Sequence, residues 1–180
     1  MRPVLVIALL LVLTMNVANA GYGSVNCKVW SPPDKSFKVD VPVKLQEVKG
    51  EYDDLSREKY ESIQLFGSSE KDSTDRGMTF QIVILQLTEK ARRSSANKLQ
   101  GLEFLIGGDE DKPTRDSGVK IDGLNARELL YSSSTSCRKG LIVDAGNRIY
   151  VLGLAVTACE GLNSSVAKRF FESFRITRRK

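Results

Sequence analysis

Residues 139–157, KGLIVDAGNRIYVLGLAVT, decide the architecture of this chain. Two apolar runs flank Asp144-Ala145-Gly146-Asn147, a cluster of turn formers too short to hold anything but a tight reversal, so the stretch reads as a β-hairpin, Lys139–Val143 turning into Ile149–Thr157. With the turn centred on Ala145-Gly146, Cys137 falls opposite Leu154, and a bend after Thr157 is needed to bring Cys159 back toward Cys137.

Working outward, more strands precede the hairpin. From Ser36 to Leu45, Phe37, Val39 and Val41 alternate with Lys38 and Asp40, the period of a half-buried strand, and Pro42 marks it as an edge strand or one that ends early. A shorter strand runs through Ile63, Leu65 and Phe66, and residues 78–87 form a strand covered on both faces. Residues 119–121 and 124–131 flank Asp122-Gly123, a two-residue hairpin signal. The period changes over residues 90–106, where Ala96, Leu99, Leu102, Leu105 and Ile106 make one helical stripe stopped by Gly107-Gly108. Asn163-Ser164-Ser165 supplies N-cap chemistry, and also a glycosylation sequon, ahead of a second helix with Val166, Phe170, Phe171 and Phe174 on one side. The expected class is α+β: an antiparallel β-sheet with two main helices packed on it.

The first twenty residues, MRPVLVIALLLVLTMNVANA, have the form of a secretory signal. Arg2 is the positive start, residues 4–13 are an apolar stretch too short to span a bilayer, and Ala18-Asn19-Ala20 is the small-x-small pattern that signal peptidase cuts. Cleavage after Ala20 is expected, giving a secreted or periplasmic chain, with 21–35 an irregular lead-in, 36–177 one domain and 178–180 a basic tail. No later run reaches membrane-spanning length. The leader's only charge is Arg2, so the +5 of the whole chain becomes +4 in the mature one, too small and too dispersed for a nucleic-acid surface.

In an oxidising compartment three cysteines read as one disulfide and one remaining thiol. Cys137 and Cys159, which bracket the hairpin, are the candidate pair, with Cys27 a competing partner for either.

The opening Lys35-Ser36-Phe37-Lys38-Val39-Asp40-Val41-Pro42 and the close, Asn147-Arg148-Ile149-Tyr150-Val151-Leu152 followed by Ala167-Lys168-Arg169-Phe170-Phe171-Glu172-Ser173-Phe174, resemble PsbP-like domains and uncharacterised exported bacterial proteins of that architecture. The resemblance implies an antiparallel sheet flanked by helices. Photosynthetic members act as accessory proteins around a manganese and calcium centre, but no ligand motif of theirs is visible in this chain, so the fold alone carries over.

The chain has no histidine, which removes the usual general base, the Ser-His and Cys-His pairs and most zinc sites. Three Ser-x-x-Lys matches remain, Ser95–Lys98, Ser136–Lys139 and Ser165–Lys168; that many hits point to coincidence, and the partner motifs of penicillin-recognising enzymes are missing. Asp109-Glu110-Asp111 with Asp116 is the one dense carboxylate cluster, but its order does not match a calcium loop, and a solvated acidic loop is the better reading. Gly107-Gly108 ends a helix, where the dipole has the wrong sign for an anion. Arg92-Arg93 with Arg175, Arg178, Arg179 and Lys180 read as scattered solubilising charge before they read as an adhesive surface, and Phe170, Phe171, Phe174 and Trp30 as core before pocket. No catalytic, cofactor-binding or metal-ligating residue and no cofactor is expected. The expected role is a non-catalytic exported domain that binds a protein or small ligand, with a histidine-independent Ser/Lys hydrolase and a basic envelope-adhesion protein as alternatives.

Overall fold

The computed structural model describes residues 26–49, 58–68, 77–94, 97–107 and 112–177. The leader, the acidic triplet Asp109-Glu110-Asp111, Ser95 and the basic tail lie outside the described residues.

Residues 139–157 occupy the middle of the large sheet. Strands β3 (Leu45–Val48), β4 (Tyr60–Ser68), β5 (Met78–Leu87), β6 (Arg115–Ile121), β7 (Leu124–Ser132), β8 (Cys137–Asp144) and β9 (Arg148–Val156) form a seven-stranded antiparallel sheet in the order β3-β4-β5-β9-β8-β7-β6. The β8–β9 hairpin thus lies between β5 and β7, and both its strands are paired on both sides. Its turn centres one residue later than the sequence reading, on Gly146-Asn147: Asp144 pairs with Ile149 and Cys137 with Val156 rather than Leu154. Gly146 takes φ +86°, and its N–H donates to Asp144 Oδ1 at 2.8 Å. The Asp122-Gly123 turn between β6 and β7 has both residues at positive φ, as a two-residue hairpin of this type requires.

Because side chains alternate along each strand, the sheet buries two separate cores. On one face Phe80, Ile82, Ile84, Leu141, Val143, Tyr150, Leu152 and Leu154 meet α3 (Ser165–Glu172) and a second, three-stranded sheet of β1 (Lys28–Trp30), β2 (Phe37–Val41) and β10 (Arg175–Ile176). This small sheet corrects two expectations. The lead-in contains a strand, β1, and β2 is a central strand with β1 on one side and β10 on the other, so of the two readings of Pro42 the early end at Val41 holds and the edge does not. Strands of three and two residues carry no period of their own; they form because β2 offers both edges. Pro42 stands just past the end of β2, where the chain crosses to the large sheet.

On the other face Val83, Leu85, Leu87, Leu129, Ile142, Ile149 and Val151 are covered by the crossover from β5 to β6. Here the expected continuous helix is broken into α1 (Glu89–Arg93) and α2 (Phe104–Gly107). Ser94 is already extended at ψ 137° and Gly101 takes φ +78°, conformations that no helix interior contains. The apolar stripe is nevertheless real: Leu99, Leu102 and Ile106 are buried against the sheet. Only one of the two main helices, α3, is therefore present as a helix of two turns; its N-cap is Ser164, whose hydroxyl accepts from Ala167 N at 3.2 Å and donates to Gly161 O at 2.7 Å.

The crossover is pinned to the sheet by polar contacts. Tyr131 Oη donates to Glu103 O at 3.1 Å, Gln81 Nε2 to Leu105 O at 3.3 Å and Arg138 Nη1 to Gly107 O at 2.5 Å. Gly107, expected only as a helix stop, packs directly on the Tyr131 ring; a Cβ there would lie 2.1 Å from Cε1, so this close approach admits glycine alone.

A disulfide joins Cys137 to Cys159 with a Cα–Cα distance of 5.1 Å, as the sequence analysis expected. The needed bend is a 3-10 turn, Cys159–Asn163, which starts three residues beyond the end of β9. Cys27 keeps its thiol, half-buried beside the first core.

Candidate functional site: a lysine-lined cleft beside α1

Thr88 joins the end of β5 to the start of β4 and to α1. Its N–H donates to Lys59 O at 2.9 Å and its hydroxyl to Glu58 O at 3.1 Å, while the same hydroxyl accepts from Ala91 N at 3.2 Å as the N-cap of α1. The register between β4 and β5 is irregular at this end, between Tyr60 and Ser62. Past α1, Asn97 organises the next turn by accepting from Leu99 N at 3.1 Å.

Between these three segments lies a half-open cleft of about 250 Å³. Glu58, Lys59 and Tyr60 line one wall, Lys90, Ala91 and Ser94 the other, and Leu87, Asn97, Lys98 and Gln100 complete it. Burial pushes the Tyr60 phenol above its ordinary range, so near neutral pH it is a protonated hydroxyl able to donate. Among the described residues three lysines and one glutamate line the cleft. Glu89 is engaged with Arg93 on the exposed side of α1. Chemically the cleft offers cations, a phenolic donor, hydroxyl and amide groups, and a small apolar floor from Leu87 and Ala91.

The residues singled out from sequence are distributed elsewhere, with the exception of Lys98. Lys139 Nζ pairs with Glu128 at 2.8 Å and sits 5.0 Å over the Phe171 ring, while the Ser136 hydroxyl lies 3.4 Å from that of Ser133. Ser165 and Lys168 are both exposed on α3. Asp116 is not part of a loop but of β6, where Arg127 Nη2 reaches it at 2.6 Å. Arg175 donates to the carbonyls of Glu172 and Phe174, each at 2.7 Å. Phe170 and Phe174 are fully buried, and Trp30 packs on Phe66 at 5.0 Å, so these aromatics are core. Among the described residues no group of three or more His, Cys, Asp or Glu side chains could hold a metal ion. Among them, too, no helix is long and apolar enough to cross a membrane.

Among the described residues Arg127 forms the largest ionic assembly, and its role is structural. Its guanidinium reaches Glu103 Oε1 at 2.5 Å, Leu99 O at 2.8 Å and both oxygens of Asp116, fastening the crossover to β6 and β7. Burial alone would raise the Glu103 carboxyl; backbone hydrogen bonds and the Arg127 guanidinium outweigh it and hold the group below the usual carboxylate range. A carboxyl depressed in the folded state contributes stability above its unfolded value, near about 4.3, and loses it as pH falls through the folded value. Solvent still reaches the pair, so Glu103→Gln is expected to cost about 1 kcal/mol at pH 7 in urea unfolding. The gap between wild type and variant should narrow as pH drops below about 4; a gap independent of pH from 7 to 3 contradicts this assignment.

Cyanobacterial PsbP (CyanoP) from Synechocystis superposes with a TM-score of 0.56 at 11% identity, over 89% of this chain and 98% of that one. The fold is PsbP-like. At that identity the PsbP-like likeness concerns the fold alone. Two looser similarities accompany it. A Pseudomonas aeruginosa protein of unknown function, described as a putative regulator, matches at 12% identity over 86% and 99% of the two chains with a TM-score of 0.43. LpqN, involved in cell envelope biogenesis of Mycobacterium tuberculosis, matches at 17% identity over 85% and 91% with a TM-score of 0.42. At those scores neither bears on function. No family model and no curated protein matches the chain.

The cleft was hidden from sequence reasoning because its lining comes from three segments, none of which carries a motif. The signal that could have pointed to it was the recurrence of Lys59, Lys90 and Lys98 near the ends of elements that a hairpin and a crossover bring together.

Proposed function

We propose that this chain is an exported, non-catalytic domain that binds a small ligand in the cleft between Tyr60 and α1. The observation that carries the binding role is the cleft itself, a concavity with convergent polar groups and an apolar floor. Export is supported by the leader pattern of residues 1–20 and by the Cys137–Cys159 disulfide, a bond that persists in oxidising compartments. The commitments of Lys139 to Glu128 and Phe171 support a structural role for the Ser136–Lys139 pair.

Filling the cleft tests the proposal. Ala91→Trp, with its fold verified by circular dichroism, and the combined Ser136→Ala, Ser165→Ala variant are compared with wild type in thermal melts against a small-molecule extract of the native envelope. The extract should raise the Tm of wild type and of the serine variant, and leave Ala91→Trp unchanged. An equal shift in Ala91→Trp, or no shift in any, refutes cleft binding. Turnover of p-nitrophenyl acetate by wild type that one serine exchange abolishes refutes the non-catalytic role.

A further inference from the structure

We infer, on the basis of the cleft reading above, that its ligand is a compact organic anion: a carboxylate or phosphate head carried on a small apolar or aromatic body. The charge is unevenly placed. Among the described residues Lys59, Lys90 and Lys98 line the cleft against Glu58 alone, and none of the three lysines is held in an ion pair. Three half-buried cations elsewhere on this fold are each matched by an acid. Arg127 has Glu103 and Asp116, Arg148 has Asp34, and Lys139 has Glu128. Two exposed lysines and the half-buried Lys98 thus converge on a concavity that has one carboxylate residue among its described lining, and an anion from solution is the group that completes such a site.

Size and lining narrow the class. At about 250 Å³ the cleft is below the roughly 300–1,000 Å³ of sites for drug-sized molecules, so it suits a head group and one ring or short chain. Leu87, Ala91 and the Tyr60 ring supply the apolar contact, and the Tyr60 hydroxyl a neutral donor. Cations alone would accept any anion; the apolar floor selects an anion with a body, and disfavours bare phosphate, which leaves that surface wet. The two walls are also joined rigidly, since Thr88 hydrogen-bonds to both Lys59 and Glu58 carbonyls while capping α1. Those two walls are therefore tied to each other before the ligand arrives.

The test uses the mature chain, residues 21–180, with phenyl phosphate, benzoate, benzyl alcohol and inorganic phosphate as probes in amide NMR titrations. Phenyl phosphate or benzoate should shift the amides of Tyr60, Ala91 and Asn97, bind at least tenfold more tightly than benzyl alcohol or inorganic phosphate, and weaken with added salt. Lys90→Gln and Lys98→Gln, both on exposed or half-exposed positions where folding is not at stake, should each reduce phenyl phosphate affinity about tenfold, or 1.4 kcal/mol. Equal affinity for benzyl alcohol overturns the anionic assignment and leaves a neutral-ligand cleft standing. Shifts that map away from the cleft, unchanged affinity in both lysine variants, or no shift with either anionic probe also overturn it. Equal affinity for inorganic phosphate removes the apolar body from the assignment.

Discussion

Phe170→Ala should destabilise the folded chain by about 4 kcal/mol, read as a lowered urea midpoint at unchanged m-value. Phe170 is fully buried, edge-on to Phe80 of β5 at 5.0 Å and to Phe171 at 5.0 Å. It is the side chain through which α3 seats on the large sheet, beside Val166, Ala167 and Phe174, all buried in the same core. Truncation loses the transfer free energy of the ring and leaves a cavity that rigid strands on one side and a short helix on the other cannot close. Domains of this size are stable by only about 5–15 kcal/mol, so the loss is a large share of the total. Lys168→Ala, exposed on the same helix, is the control and should stay within about 0.5 kcal/mol of wild type. A Phe170→Ala effect below about 1 kcal/mol would mean that α3 does not seat through this ring.

Removing the disulfide ranks second. The Cys137→Ala, Cys159→Ala double variant should lose about 3 kcal/mol, because the bond closes a 22-residue separation and its loss restores that freedom to the unfolded chain. The contribution is worth having at this place. Cys137 is buried at the start of β8, whereas Cys159 is exposed in the turn leading to α3, so the bond ties the central hairpin to the connection that delivers the helix. Urea unfolding with and without dithiothreitol separates this from packing: wild type should fall by about 3 kcal/mol on reduction and the double variant should not respond. A wild type insensitive to reductant contradicts the pairing, as does a non-reduced peptide map linking Cys27 to either partner.

The strands and the disulfide were legible because their causes are local. Alternation in 37–41, continuous apolar runs in 78–87 and 149–156, and turn residues at Asp122-Gly123 and Gly146-Asn147 each act within a few residues. The crossover was half legible. Its stripe of Leu99, Leu102 and Ile106 reported which side faces the sheet, but the stripe does not encode continuity, and Ser94 and Gly101 divided it. Beyond this lay whatever depends on segments distant in sequence. The short strands β1 and β10 exist by pairing with β2, Gly107 is glycine because Tyr131 from β7 lies on it, and Asp116 belongs to Arg127 rather than to an acidic loop. The cleft is the extreme case, assembled from residues 58–60, 87–94 and 97–100, the first two of these joined by hydrogen bonds of one threonine.

Native mass spectrometry of the full-length chain expressed in its own cells and recovered from the extracytoplasmic fraction without reductant tests the central claim most directly, because it weighs the processed chain and its cargo together. The account predicts the mass of residues 21–180 less the hydrogens of one disulfide, with an added small anionic compound that is absent from Ala91→Trp prepared in the same way. A chain that retains its first twenty residues and stays in the cytoplasm would contradict export, and a wild type with no added mass, or with the same added mass in Ala91→Trp, would contradict ligand binding in the cleft.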